Sequence, residues 1–182
     1  MALKAIAREP IKGTGGLRYV LLADFREVKV DMSAVETTGL ATITLADGTV
    51  IDNTNNPFVK IEMNKQSGNV ANVYTGDAAN GSGENAEVVT MVFGNAQKNA
   101  ERTVAIQGML NIYTVAIAVD KNNQTLVLGA TDGCDATGDA NGTGTAGTDL
   151  NGHSVTLTGM EPLLAPSISE ADLAILEVPK TV

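Results

Sequence analysis

The residues with the clearest chemical potential lie in one glycine-rich stretch, Thr131 to Gly152. It contains Asp132, Asp135, Asp139, Asn141 and Asp149. Carboxylates and amide carbonyls are the oxygen ligands that a hard cation such as calcium takes. Their spacing follows neither the EF-hand loop nor the glycine-rich nonapeptide repeat. The expected assignment is therefore a solvated loop without a metal, with a structural calcium site on these five residues as the alternative. The same stretch holds the only cysteine, Cys134, directly after Asp132-Gly133. Nearby carboxylates raise a thiol pKa and make a poor nucleophile. A single cysteine also excludes an internal disulfide and a cysteine-based zinc cluster. The only histidine, His153, follows Asn151-Gly152 and is read as an exposed turn residue.

Acid–base and nucleophilic catalysis need His, Cys, Ser and carboxylates concentrated at meaningful spacing. Any histidine-dependent triad would rest on His153 alone, and no G-x-S-x-G elbow is present. Gly13-Thr-Gly-Gly16 lacks the Lys-Ser/Thr that completes a phosphate loop. The expectation is a protein that is not an enzyme, with no catalytic residue and no cofactor.

The chain has 182 residues and a net charge of −9, from 12 Lys and Arg against 21 Asp and Glu. Free nucleic acid would be repelled, because phosphate binding needs clustered Lys and Arg. A surface that DNA slides past without sticking is the one nucleic-acid role this balance suits. With no Trp, three Phe and three Tyr, the core must be filled by Val, Ile, Leu and Ala. That composition, with its many Gly and Asx turns, favours a mainly β sandwich or barrel. Few aromatics also argue against a carbohydrate site, which leans on exposed rings. The opening MALKAIAREPIKG has no apolar core of the secretory type. No apolar run reaches the roughly 20 residues that span a bilayer. The expectation is a chain made in a cytosol, without a membrane anchor.

The elements that must position these residues centre on Glu87 to Gly133. Val88 to Phe93 alternates as a strand, and β-branched residues dominate it. Asn95 is a candidate N-cap for a helix over residues 96–110. Ala96, Ala100, Thr103 and Leu110 form its stripe, flanked by Val104 and Ile106, and leave Met109 off it. Tyr113 to Val119 and Thr125 to Leu128 read as a hairpin about Asp120-Lys-Asn-Asn-Gln.

Upstream, Arg18 to Glu27 is a strand. Leu40 to Leu45 and Thr49 to Ile51 form a hairpin about Ala46-Asp47-Gly48. Phe58 to Met63 and Asn69 to Tyr74 are further strands, and Thr75 to Glu84 is the tip of a long hairpin leading to Asn85–Phe93. Downstream, Ser154 to Thr158 alternates as a strand. Ser167 and Glu170 have capping-box spacing for a short helix to Leu176, and a terminal strand is the alternative. The division expected is one domain over 1–182, with an N-terminal arm (1–16) and a C-terminal extension (165–182).

From Phe58 onward the order of features resembles a phage tail tube protein, of the kind carried by phages and prophages of Gram-negative gut bacteria. The likeness rests on EVVTMVF, then GNAQKNAERTVAIQGML, then TVAIAVDKNNQTLVLGATDGC, closing on GTDLNGHSVTLTGMEPLLAP. It implies an α+β, mainly β fold: a β-sandwich or small barrel of antiparallel strands with one flanking α-helix. It also implies a structural virion protein, located in the phage tail and assembled in the host bacterial cytoplasm. Six copies would form a ring, and stacked rings would make a hollow tube for genome delivery. The implied partners are further copies of the chain, other tail or neck proteins, and DNA passing through without specific binding.

Under this resemblance Ala78, Ala79, Asn80, Gly81, Ser82 and Gly83 are candidates for stacking rings, and Met109 for packing near a neighbouring subunit. Met1–Gly16, Thr75–Gly83 and Ala165–Val182 would be exposed segments that order on meeting a neighbour. Three alternatives are a tail terminator, a capsid-decorating β domain, and a calcium- or carbohydrate-binding β module.

Overall fold

The structure, a computed structural model, describes residues 15–63, 67–77, 79, 82–93, 100–143, 145 and 151–178. Among these are ten strands: β1 (Leu17–Asp24), β2 (Val28–Asp31), β3 (Thr42–Leu45), β4 (Val59–Glu62), β5 (Gly68–Asp77), β6 (Ser82–Phe93), β7 (Thr114–Asp120), β8 (Thr125–Leu128), β9 (Asp135–Gly142) and β10 (Gly152–Glu161). Three helices accompany them: α1 (Val35–Thr38), α2 (Ala100–Leu110) and α3 (Glu170–Leu176). The expected single flanking helix is therefore one of three.

A first sheet runs β4-β1-β7-β8 and a second runs β5-β6-β10-β9, and every pairing in them is antiparallel. β2 and β3 form a separate hairpin. The first sheet is the middle layer, and its sequence shows why. β7 is buried from Thr114 to Val119, and β1 from Tyr19 to Ala23, so both strands are apolar on both faces. Alternate residues serve different neighbours. Tyr19, Leu21, Val115, Ile117 and Val119 pack with Val28 and Ile43 of the β2–β3 hairpin, with Phe58 and with Leu173 and Leu176 of α3. Val20, Leu22, Ala116 and Ala118 pack with Val89, Met91, Val155 and Leu157 of the second sheet. Each fully buried Leu, Ile or Val side chain contributes about 1.5–3 kcal/mol of transfer free energy. The result is a mainly β, α+β sandwich, and not a closed barrel.

Two turn readings agree with the structure. The Gly48 amide donates to Leu45 O at 2.8 Å, closing the Asp47-Gly48 turn. Asp120 Oδ1 accepts from the amides of Asn122 and Gln124, which fixes the β7–β8 turn with Asn123 at φ 62°. Thr49–Ile51, expected as a strand paired with Leu40–Leu45, forms only the isolated Thr44–Val50 bridge, because β3 pairs with β2. Three further readings need correction. The Asp-rich stretch, expected as a loop, contributes β9, because backbone bonds to β10 stabilise a strand whatever its side chains. Helix α3 is capped by Ser169, whose Oγ accepts from the Asp172 amide at 3.1 Å, and not by Ser167 with Glu170.

The third correction concerns the C-terminal extension, expected to order on a neighbour. Its residues to Val178 are held by their own chain. The Ala41 amide donates to Ser167 O, and Val127 N to Pro166 O. The buried Asn56 Nδ2 donates to the carbonyls of Leu176 and Val178, satisfying groups that a helix end leaves free. The arm residues 1–14 lie outside the described residues. No helix among the described residues is long and apolar enough to cross a membrane.

Candidate functional site

The inner face of the second sheet changes character along its length. Facing pairs on β6 and β10 run Phe93–His153, Met91–Val155, Val89–Leu157, Glu87–Gly159 and Asn85–Glu161. The middle pairs are aliphatic and fully buried, and then two carboxylates appear in the same inward phase. Glu87 is 1% exposed and Glu161 2%. Gly159 makes room for this: a side-chain Cβ there would sit 3.2 Å from Cys134 Sγ and 3.6 Å from Glu87 Oε2.

Both carboxylates are turned toward the segment Gly129–Cys134, which joins β8 to β9. Glu87 Oε2 accepts from the Gly129 amide at 2.8 Å, and Oε1 from Asn72 Nδ2 at 3.3 Å. Glu161 Oε1 accepts from the amides of Thr131 at 2.8 Å and Asp132 at 3.4 Å. The segment is pinned at its far end, where Cys134 and Thr114 exchange backbone bonds of 2.7 and 3.0 Å. Gly129 holds φ +71°, and a Cβ on it would lie 2.6 Å from the Cys134 nitrogen, so the approach requires glycine.

Burial pushes the Glu87 carboxyl up to about 7; the Gly129 amide opposes that rise, and the charge of Glu161 adds to it. Burial, with Glu87 and Glu161 behind it, pushes the Cys134 thiol up to about 12. The expected direction for Cys134 is correct, but its main cause is desolvation inside the sandwich. Among the described residues, Glu161 Oε2, Asn85 Oδ1 and Asn72 Oδ1 are buried without a hydrogen-bond partner. Chemically, the buried Glu87 can hold a proton, whereas the protonated Cys134 thiol is a poor nucleophile.

His153 is not an exposed turn residue. It lies within β10 at 5% exposure, with Nδ1 3.2 and 3.3 Å from the two carboxylate oxygens of Asp139. Pairing on both sides, to Phe93 and Asn141, covers it. The four described residues of the calcium alternative are not gathered. Asp135, Asp139 and Asn141 are spread along the extended β9, the Asp132 amide is bonded to Glu161, and Asp149 lies outside the described residues. Successive strand positions advance by about 3.3 Å, so a strand does not wrap its ligands around one ion. Among the described residues no group of three or more His, Cys, Asp or Glu could hold a metal ion.

The surface candidates divide. Ala79, Ser82 and Gly83 sit at the tip of the β5–β6 hairpin, while Ala78, Asn80 and Gly81 lie outside the described residues. From Val73 to Asp77 and from Ser82 to Glu84 both strands are exposed throughout, so this part of the hairpin stands clear of the sandwich as an arm. The ring of Tyr74, 62% exposed, lies across Gly76 and Gly83 and leaves neither room for a side chain.

Met109, expected to be left over, packs with Leu110 and the buried Ile106 against the chain's own inner cluster. The inward stripe of α2 is thus Ile106, Met109 and Leu110, at the i, i+3, i+4 spacing of one helix face. Ala100, Thr103 and Val104 are exposed, Val104 at 72%.

The carboxylate cluster was missing from the sequence reading, although its signal is periodic. Glu87 shares the two-residue phase of Val89, Met91 and Phe93, and Glu161 that of Val155 and Leu157. Extending each alternation one step past its last apolar member marks both acids as inward-facing. Comparison with protein-family models, with curated proteins and with solved structures finds no match.

Proposed function

We propose that this protein is a structural tail tube subunit that assembles into hexameric rings, stacked as a conduit for DNA. The observation that carries this reading is the β5–β6 arm beside open sheet edges. The arm is a two-stranded ribbon exposed on both faces, with Val73 and Tyr74 on its surface. An isolated ribbon of this kind is marginally stable in water, so it fits a role in which a neighbour covers it. β5 and β9 end the strand order of the second sheet, and such edges are templates for further pairing. Head-to-tail contacts that close make rings, and repeated stacking makes a tube. The net charge of −9 suits a lumen past which DNA moves without binding.

Sedimentation velocity of the wild type and of a Val73→Ser/Tyr74→Ser variant tests the arm's role. The reading expects large assemblies from the wild type, and a folded variant with unchanged circular dichroism that stays small. Large assemblies from both proteins would remove the arm from the account.

A further inference from the structure

We infer that Glu87, beside Glu161, forms a proton-operated latch: the proton on its buried carboxyl keeps Gly129–Cys134 docked on the second sheet, and its loss to solvent releases that segment. This inference does not depend on the tail tube reading.

Both acids are nine-tenths or more buried and diagonal to each other across the β6–β10 pair. The titratable group acting on Glu87 is Glu161 from β10, Glu87 in turn acts on the Cys134 thiol across the segment, and β5 contributes only the uncharged Asn72. Among the described residues no cation acts on Glu87 or on Cys134. Two carboxylates in such a place repel each other and have lost their water.

The second observation is a shortage of donors. Glu161 Oε2 and Asn85 Oδ1 are buried acceptors with no partner among the described residues, although Asn85 lies directly opposite Glu161. A proton on Glu87 adds one donor to this cluster and removes a charge in one step. The rise of the Glu87 carboxyl to about 7 agrees with this arrangement. When the proton leaves, two buried anions remain, and water reaches them only if the segment lifts. The bonds given up are those from the amides of Gly129, Thr131 and Asp132, and at the far end the backbone pair of Cys134 with Thr114. Lifting also uncovers Cys134, which makes the event measurable.

The chain has a single cysteine, so thiol labelling reports on this site alone. The experiment follows labelling of the full chain by 4,4′-dithiodipyridine from pH 5.5 to 8.5, in the wild type and in Glu87→Gln. The thiol reacts once the segment has lifted, where it ionises as an exposed cysteine in both proteins, so dividing one rate by the other removes that dependence. The latch predicts that the wild-type to variant ratio rises at least about tenfold, with its midpoint near the Glu87 value of about 7. A ratio flat across the range would overturn it. If Glu87→Gln does not fold, the latch is judged in the wild type by ¹³Cδ titration of labelled glutamates together with labelling. A glutamate step near pH 7 that coincides with faster labelling supports it. Glutamates that all titrate below pH 5.5, or a step without a labelling change, overturn it.

Discussion

The Gly129 amide donates to the Glu87 carboxylate at 2.8 Å, across 42 residues of chain. This bond joins the turn after β8, in the first sheet, to the inner face of β6, in the second. Together with the Glu161 bonds to Thr131 and Asp132 it fixes where β9 begins. The two sheets are therefore tied by polar groups at one end and by aliphatic packing in the middle.

The raised carboxyl of Glu87 has a consequence for stability against pH. Its value moves from 4.5 to about 7 on folding. The folded state thus binds the proton more tightly than the unfolded chain does. The stability linked to it is complete below pH 4.5, and it is lost as pH rises through about 7. At most ~3.5 kcal/mol is lost across that window, taking about 1.4 kcal/mol per tenfold change in proton affinity. Urea unfolding at pH 5 and pH 8 measures it. The difference should be larger in the wild type than in Glu87→Gln, which has no carboxyl to titrate there.

Gly129→Ala should destabilise the protein by about 2–4 kcal/mol, for two reasons that act together. The position holds φ +71°, and the added methyl meets backbone atoms of Gly133, Cys134 and Thr114 inside 3 Å. Thermal and urea unfolding would both register the loss. Gly138→Ala, where a Cβ meets nothing within 4 Å, should be close to neutral.

Helix α2 allows a paired comparison. Met109→Glu places a charge on a half-buried side chain that packs on the inner cluster, and should cost about 2 kcal/mol or more. Val104→Ser, at a position 72% exposed, should change stability by less than about 0.5 kcal/mol. Equal costs at the two positions would show that the helix is turned differently.

How much of this was legible in the chain depends on which force decides each feature. Strands ruled by alternation, such as Val88–Phe93 and Ser154–Thr158, lie inside the observed β6 and β10. The Asp47-Gly48 and Asp120–Gln124 turns were legible because local side-chain and backbone bonds make them. β9 was not legible, because nothing in Asp-Ala-Thr-Gly-Asp-Ala-Asn-Gly favours a strand until β10 offers its backbone. The face of α2 was misread because small residues suggested a stripe that packing assigns to Ile106, Met109 and Leu110. His153 looked exposed from its Asn and Gly neighbours, yet tertiary pairing buries it. Glu87 and Glu161 were legible in phase, but a carboxylate invites an outward assignment until the donors of Gly129 and Thr131 are seen.

The central claim is self-assembly of this sandwich into an open tube, and negative-stain electron microscopy of the purified full chain tests it most directly. The account predicts six-fold rings with an open centre, and stacks of such rings as concentration rises. Monodisperse small particles at every concentration, from protein that is folded by circular dichroism, would contradict it.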